Sequence, residues 1–193
     1  MQIIPIPDRG QILVVVTPYV GGEAVFDLVA RLSLAGSLEV IDGGNTFNAY
    51  RAVQALRKNA PELLGAAGAL ERVQLARAFT CYQLAALLEA LETAPVPLKE
   101  QGGASFPLLV LDLLATFGDQ GVAIRERRRL LTLCLTKLKR LAYGGQPVGI
   151  WLRARTVAPE ELLEFQARVE QTADRLWRLN HLLPEAPLQG RLF

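Results

Sequence analysis

One short segment near the start of the chain limits the fold more than any other feature. Residues 12–16 are leucine or β-branched and apolar on both faces, which is typical of a central strand in a parallel sheet. The pair Gly21-Gly22 follows, and apolar residues then recur at helical spacing over residues 23–34. A buried strand that passes through a tight turn into a helix begins a βαβ unit. The segment therefore predicts an α/β protein.

The same alternation continues through the rest of the chain. Further strands are predicted at residues 38–41, 73–76, 108–111 and 148–152. Helices are predicted at residues 47–58, from Pro61, at 80–92 behind a Thr80-x-x-Gln83 capping box, at 124–142 and from Pro159. Residues 174–180 fit either an extension of the last helix or a closing strand. Together these elements indicate a single α/β domain over residues 1–193, with a doubly wound, mainly parallel sheet and helices on both faces.

The composition excludes several classes of function. The chain has 193 residues, of which 51% are hydrophobic, and no charge-free apolar run of about 18 residues that would span a membrane. Cys81 and Cys134 lack metal-binding spacing, which favours reduced thiols of a cytoplasmic protein. His181 is the only histidine, so a site built from two histidines is excluded. We expect no metal, no cofactor and no membrane contact.

The turn after the first strand stands where a P-loop would lie, but it lacks the P-loop's chemistry. A P-loop, G-x-x-x-x-G-K-[ST], needs its lysine and hydroxyl for phosphate and magnesium. In this register Thr17 replaces the first glycine, Gly22 keeps the second, Glu23 replaces the lysine and Ala24 the hydroxyl. A carboxylate about 4 Å from a phosphate costs about 4 kcal/mol per unit charge at an effective dielectric near 20. The pattern therefore predicts a nucleotide-binding architecture that no longer uses a nucleotide, with no catalytic residue.

Positive charge is concentrated in residues 119–155. This segment has nine basic residues against two acidic ones, a net charge of +7, so the remainder carries −5 of the total of +2. The basic residues are Arg125, Arg127, Arg128, Arg129, Lys137, Lys139, Arg140, Arg153 and Arg155. Such an asymmetry suggests an anionic partner or an acidic protein surface.

Several segments, in order, resemble the RecA-like recombinase family, particularly its RadA branch and the related KaiC-type ATPases. Residues 41–47, I-D-G-G-N-T-F, resemble the family's I-D-T-E-G-T-F. Residues 75–79, L-A-R-A-F, with Gln83, are similar to its A-R-A-[YF]-x-x-x-x-Q stretch, and residues 108–112, L-L-V-L-D, resemble a Walker B strand. Residues 170–179 resemble its late A-D-x-[VI]-x-x-L strand. The resemblance implies a RecA-like P-loop NTPase core.

The resemblance also places a vestigial nucleotide site on this chain. The family's catalytic glutamate would fall at Gly44, which has no side chain to act as a general base. Asp112 alone is kept from the ATPase apparatus, and an aspartate at a strand end also serves as a cap or turn residue. The vestigial site comprises Thr17, Gly21, Gly22, Glu23, Ala24, Asp42, Gly44 and Asp112.

DNA contacts are implied in the same way. The family's DNA-contacting loops follow its fourth and fifth strands, which correspond here to residues 116–129 and 153–156. The candidate DNA-binding residues are Arg125, Arg127, Arg128, Arg129, Arg153 and Arg155. The alternative is that these arginines form the solvated face of a helix. No aromatic residue is interleaved with them, which argues against base stacking, and Trp151 is expected in the core of the fifth strand.

From these features we expect a non-catalytic RecA-fold protein that assists recombination or repair. It would bind DNA, a partner RecA-type ATPase or another copy of itself. Two other functions stay open at this point: an ATPase whose divergent P-loop is completed by a neighbouring subunit, and a purely structural or regulatory subunit.

Overall fold

The computed structural model describes residues 3–18, 22–60, 66–93, 106–154 and 158–179. Its strands are β1 (Ile12–Thr17), β2 (Leu38–Asp42), β3 (Val73–Arg77), β4 (Leu108–Leu111), β5 (Val148–Arg153) and β6 (Arg175–Arg178). Its α-helices are α1 (Gly22–Ala35), α2 (Ala49–Asn59), α3 (Ala66–Glu71), α4 (Cys81–Thr93), α5 (Ile124–Tyr143) and α6 (Glu160–Glu170). A 3-10 helix, Leu113–Phe117, follows β4. No helix in these ranges is long and apolar enough to cross a bilayer.

The six strands form one parallel sheet in the order β3-β2-β4-β5-β1-β6. β1 lies inside the sheet, where Val14 is opposite Ile150 of β5 on one side and Leu176 of β6 on the other. All six residues of β1 are buried, as its apolar sequence predicts. The parallel α/β architecture expected from the sequence is confirmed.

Helices cover both faces of the sheet. Alternate β1 residues such as Leu13 and Val15 pack with Phe26 and Val29 of α1 in one core. Val14 and Val16 point the other way, into a second core that contains residues of α4, α5 and α6. Since side chains alternate across a strand, an apolar strand of this kind requires cover on both sides. The sheet is therefore doubly wound.

The connections at the carboxyl edge of the sheet lead to both of its faces. The connections after β1 and β2 lead to helices on the first face, whereas those after β4 and β5 lead to helices on the second. β2 is adjacent to β4, and β1 is adjacent to β5. In each of these pairs, the chain therefore leaves the two strands towards opposite faces of the sheet. Ligand sites of open α/β sheets lie at such switch points. Asp42 and Asp112 follow one pair of strands, and Thr17 and Arg153 end the other.

Most predicted elements are confirmed to within two residues, and three differ in an informative way. Residues 174–180 were left undecided, and the structure forms β6 there because Asp174 accepts a hydrogen bond from Ile12 N–H and docks the segment beside β1. Phe47 precedes α2, whose N-cap is Asn48. The 3-10 helix was not predicted, and Pro61 lies outside the described residues.

Candidate functional site

The predicted site residues converge on the carboxyl edge of the sheet. Thr17 and Asp42 are the last residues of β1 and β2, Asp112 directly follows β4, and Arg153 ends β5. Gly22, Glu23 and Ala24 form the first turn of α1, and Gly44 lies in the turn after β2. Gly21, Arg155 and His181 lie outside the described residues. The described members of the predicted site therefore lie at one edge of the sheet, and the chemistry of that edge depends on what their side chains contact.

Thr17 is tied into the protein core. Its side chain is fully buried, and its Oγ1 accepts a hydrogen bond from Nε1 of Trp151. Its carbonyl accepts a second bond from Ala154 N–H at 2.6 Å. The Trp151 ring extends to within 4.0 Å of the position that a Cβ on Gly22 would occupy. The indole thus fills the space between the end of β1 and the start of α1, and the expected burial of Trp151 is confirmed.

The start of α1 borders a cleft that carries charges of both signs. Glu23 is exposed in the first turn, where the helix dipole favours a carboxylate. The cleft, of about 190 Å³, lies between α1 and α2 and is lined by Glu23, Phe26, Asp27, Arg51, Gln54, Ala55 and Lys58. The Arg51 guanidinium comes within 3.7 Å of the Cβ position at Gly22. A mixture of acids and bases at this point does not form the uniformly cationic cradle that a triphosphate requires.

Asp42 organises the turn that follows β2. Its buried carboxylate accepts hydrogen bonds from Thr46 N–H at 2.9 Å, Thr46 Oγ1 at 3.2 Å and Phe47 N–H at 2.8 Å. Arg77 at the end of β3 adds an ion pair, with Nε 3.7 Å from Oδ2. These four contacts occupy both carboxylate oxygens with partners from the protein itself. Asp42 therefore fixes the conformation of residues 43–47.

Asp112, the Walker B-like residue, is held by an arginine. Its backbone is left-handed, with φ of +48°, and the residue is only 3% exposed. Its Oδ2 lies 3.3 Å from Nη2 of Arg153, and its carbonyl accepts from Ala115 N–H to open the 3-10 helix. A guanidinium at this distance competes directly with a divalent cation for the carboxylate.

Gly44 packs against Asp112 with no space for a side chain. A Cβ on Gly44 would lie 2.6 Å from Cβ and 2.8 Å from Oδ2 of Asp112. The neighbouring Gly43 N–H donates to the Leu111 carbonyl at 2.9 Å, which fastens the turn to the end of β4. The position at which the resemblance implies a catalytic glutamate is therefore sterically closed.

The described residues contain no group of three or more histidine, cysteine or acidic side chains arranged to hold a metal. Both cysteines are free and buried on the α4 and α5 side of the sheet. Burial raises the pKa of Cys134 to about 12, and burial likewise raises the pKa of Cys81. A raised pKa disfavours the reactive thiolate, and both side chains occupy the core positions expected from the sequence.

Arg127 differs from the other candidate DNA-binding residues because its side chain is buried. It is 5% exposed, and its guanidinium donates to the carbonyls of Phe117 and Val122 at 3.1 and 3.0 Å. Its Nη2 also donates to Glu161 of α6 at 2.8 Å. All these contacts are internal, so Arg127 joins the segment after β4 to α5 and α6, and it does not face solvent.

The other arginines of this group lie on the surface, at the start of α5. Arg128 forms a forked pair with Glu164 of α6, which raises the pKa of Arg128 through hydrogen bonding and charge. Arg129 pairs with Glu126 one turn earlier, at 2.7 Å. Arg125 is exposed. These three guanidiniums are accessible, unlike that of Arg127.

Acidic residues from neighbouring helices compensate much of the +7 segment. Lys137 pairs with Glu92 at 2.9 Å and Glu89 at 3.6 Å, and Arg140 also pairs with Glu92 at 3.1 Å. The hydrogen bonds from Lys137 and Arg140 lower the pKa of Glu92. Within the described residues, Arg125 and Lys139 are the members of this segment for which no ion pair is found. The sequence showed the basic excess but not these partners on α4 and α6.

Two exposed aromatic residues at the start of α4 were not among the candidate site residues predicted from the sequence. Phe79 is 67% and Tyr82 is 50% exposed, and both lie at the start of α4. The capping box, Thr80 to Gln83, forms as predicted and indicates where the helix begins, but not that these rings face solvent. α4 packs with α5 in one core through Cys81, Leu84 and Leu88, so these two rings lie outside that core.

Comparison with protein-family models and with curated sequences leaves the family of this chain unassigned. No protein-family model matches it, and no curated protein is significantly similar in sequence. The likeness to RecA-like proteins therefore rests on the four motif segments and stays a resemblance.

Proposed function

We propose that this chain is a non-catalytic protein of RecA-like architecture that binds DNA as an accessory in recombination or repair. The observation that carries the proposal is the closed carboxyl edge of the sheet. Asp112 is paired with Arg153, and Gly44 packs against Asp112 where a catalytic side chain would have to fit. A fold that keeps its strands, but whose ligand site is occupied by its own side chains, is suited to binding a partner through its outer surface.

Three features of the site support the proposed lack of nucleotide chemistry. A magnesium ion would have to displace the Arg153 guanidinium, whose Nη2 lies 3.3 Å from the Asp112 carboxylate. Phosphates would meet the Glu23 carboxylate at the start of α1 in place of a lysine. Thr17 is already engaged by Trp151. Each of these features opposes nucleotide binding independently of the others.

DNA binding is supported by the exposed arginines of α5. The side chains of Arg128 and Arg129 are 48% and 61% exposed, and Arg125 lies on the same turns of the helix. Exposed ion pairs such as Arg128–Glu164 contribute only about 0.2–1 kcal/mol, so a phosphate can replace the carboxylate at little cost. We therefore assign the phosphate contacts to Arg125, Arg128 and Arg129, and not to the buried Arg127.

The test is fluorescence anisotropy of labelled single- and double-stranded oligonucleotides, titrated with the protein between about 50 and 200 mM salt. Changing Arg125, Arg128 and Arg129 together to glutamate is expected to abolish binding at the higher salt. Each lost phosphate contact lowers the salt slope by about one.

A matched control reverses three arginines at the opposite, amino edge of the sheet: Arg9, Arg57 and Arg72. These residues are exposed, and the variant has the same net charge as the α5 variant. The control is expected to keep much more of the affinity than the α5 variant. Equal losses of affinity in the two variants would mean that net charge, and not the position of the arginines, determines binding. An absence of binding by the unmodified protein at low salt would refute DNA binding.

A further inference from the structure

The cleft between α1 and α2 is built from one face of each helix. Glu23, Phe26 and Asp27 line it from α1, and Arg51 and Ala55 are among the residues that line it from α2. Both sets are spaced three or four residues apart, which places their side chains on the same side of a helix. A molecule bound in the cleft would therefore contact both helices at once.

Hydrogen bonds order both ends of α2. At its end, Asn59 Nδ2 donates to Oδ1 of Asp27 on α1 at 2.8 Å. At its start, Oδ1 of the N-cap residue Asn48 accepts from Arg51 N–H at 3.1 Å. The α2 wall of the cleft is therefore ordered before a ligand arrives, which lowers the entropic cost of binding.

Two of the four charged residues that line the cleft are already engaged. Oδ2 of Asp27 lies 3.2 Å from Nε of Arg31, and its Oδ1 accepts from Asn59. Lys58, which also lines the cleft, has an interaction partner of its own. The charge that a ligand meets therefore comes chiefly from the other two residues, Glu23 and Arg51.

Glu23 and Arg51 bring opposite charges to the cleft without pairing with each other. Within the part of the chain that the structure describes, no ion pair or side-chain hydrogen bond is found for either residue. They are nevertheless close, because Nη1 of Arg51 lies 3.7 Å from the position of a Cβ on Gly22, the residue before Glu23. A ligand with one negative and one positive group can pair with both.

An apolar wall lies beside these charges. Phe26 is only 4% exposed, and the partly buried Ala55 packs against the same core. The cleft has a volume of about 190 Å³, below the roughly 300–1,000 Å³ that is typical of pockets for drug-sized ligands. Its size and its lining therefore suit a small molecule with an apolar part.

We propose that this cleft binds a free α-amino acid with an apolar side chain. The carboxylate of the ligand pairs with Arg51, its ammonium pairs with Glu23, and its side chain lies against Phe26 and Ala55. Glu23 repels a simple anion and Arg51 repels a simple cation, whereas an α-amino acid carries both charges on groups bonded to one carbon. The site does not involve the arginines of α5, so the inference is independent of the proposed DNA binding.

The experiment measures the binding of L-leucine to this protein by isothermal titration calorimetry. Glu23→Gln and Arg51→Gln are the test variants, since each removes one charge from the cleft. The matched controls are Glu160→Gln, in the first turn of α6, and Arg57→Gln, on α2 but outside the cleft. Two analogues complete the design: N-acetyl-L-leucine lacks the ammonium, and L-leucinamide lacks the carboxylate. Thermal unfolding of each variant verifies that the fold is kept.

We expect saturable heat with L-leucine, and each test variant should bind it at least about fivefold more weakly than the unmodified protein. The control variants should stay within about twofold. Glu23→Gln should not weaken the binding of N-acetyl-L-leucine further, and Arg51→Gln should not weaken that of L-leucinamide. In each case the charge that the variant removes has no partner on the analogue.

Any of three results would overturn the amino-acid site. The first is an absence of saturable heat at millimolar L-leucine, and the second is an equal loss of affinity in the test and control variants. The third is binding of N-acetyl-L-leucine as tight as that of L-leucine, which would indicate a site for anions alone. None of these results bears on DNA binding, which the oligonucleotide titration tests separately.

Discussion

Replacing Gly44 with alanine is expected to destabilise the protein, because the new methyl group would overlap Asp112. The Cβ would lie 2.6 Å from Cβ of Asp112, whereas carbon atoms at contact prefer about 3.5–4.0 Å, so one residue must move by about 1 Å. Neither can move freely, since Arg153 holds the Asp112 side chain and Asp42 holds the turn that contains Gly44. Overpacking of this kind costs about 1–3 kcal/mol of unfolding free energy.

A double-mutant cycle isolates this contact. Asp112→Gly removes all three atoms that the new methyl group would meet, and glycine suits the left-handed backbone at this position. In that background Gly44→Ala should be neutral or stabilising by up to about 1 kcal/mol, because alanine restricts the unfolded chain. The expected coupling free energy is therefore about 1–3 kcal/mol. Gly36 serves as the control, since a Cβ there meets nothing within 4 Å.

Urea unfolding of the four proteins in the cycle, monitored by tryptophan fluorescence, gives the free energies and m-values. Gly36→Ala should show no coupling to Asp112→Gly. The steric reasoning is refuted if Gly44→Ala is as stable as the unmodified protein, or if its cost is the same in the Asp112→Gly background. Either result would mean that the turn after β2 does not pack closely against Asp112. The proposal that the nucleotide site is closed would then lose its main evidence.

Three further predictions concern buried or paired charges. Burial raises the pKa of Glu39 above 4.5, although Gln146 donates a hydrogen bond to its carboxylate. The protein therefore loses stability as the pH rises above 4.5 and Glu39 ionises. Glu39→Gln should be more stable than the unmodified protein in urea unfolding at pH 7, and it should lose this advantage in acid. Arg127→Met should lower the unfolding free energy by about 2–4 kcal/mol through its lost internal hydrogen bonds, whereas Arg125→Met should stay within about 0.5 kcal/mol. Hydrogen bonds from Lys137 and Arg140 lower the pKa of Glu92 below 4.5. The stability that these bonds contribute is therefore present above that pH and is lost in acid. Glu92→Gln should therefore lower the thermal midpoint at pH 7 and leave it unchanged once Glu92 is protonated.

Each of these three has an outcome that would contradict it. An advantage of Glu39→Gln that persists in acid would mean that burial of the ionised carboxylate is not its source. Equal costs at Arg127 and Arg125 would mean that the internal contacts of Arg127 contribute nothing. A Glu92→Gln deficit that does not depend on pH would point to lost packing and not to lost charge pairing.

The sequence was sufficient for the fold because its strands carry a strong pattern. β4 is apolar throughout and β1 is apolar up to Thr17, which is typical of parallel strands that are covered on both faces. β6 could not be assigned because Arg175–Arg178 is polar at both ends and lies at the edge of the sheet. What decides its conformation is pairing with β1, more than 150 residues earlier in the chain. Local pattern carries no information about such a partner.

The edge of the sheet at which the candidate site residues lie could be predicted from the sequence, but their contacts could not. Parallel strands end at one edge, so Asp42 and Asp112 were expected at the same edge once both strands were predicted, and the adjacency of β2 and β4 brings them together. The ion pair of Asp112 with Arg153 depends on the order of strands in the sheet, which the sequence did not specify. Arg127 shows the same limit, since its neighbours in sequence are exposed and its own burial depends on Glu161 of another helix. Contacts between elements decide which charged residues are free to act.

Isothermal titration of the protein with magnesium-ATP tests the central claim most directly. A closed site predicts that the nucleotide does not bind, whereas a divergent but working P-loop predicts that it does. With Asp112 paired to Arg153 and Glu23 at the start of α1, we expect no saturable heat even at millimolar nucleotide. Saturable binding that disappears in the Asp112→Ala variant would contradict a non-catalytic role and favour an ATPase with a divergent P-loop.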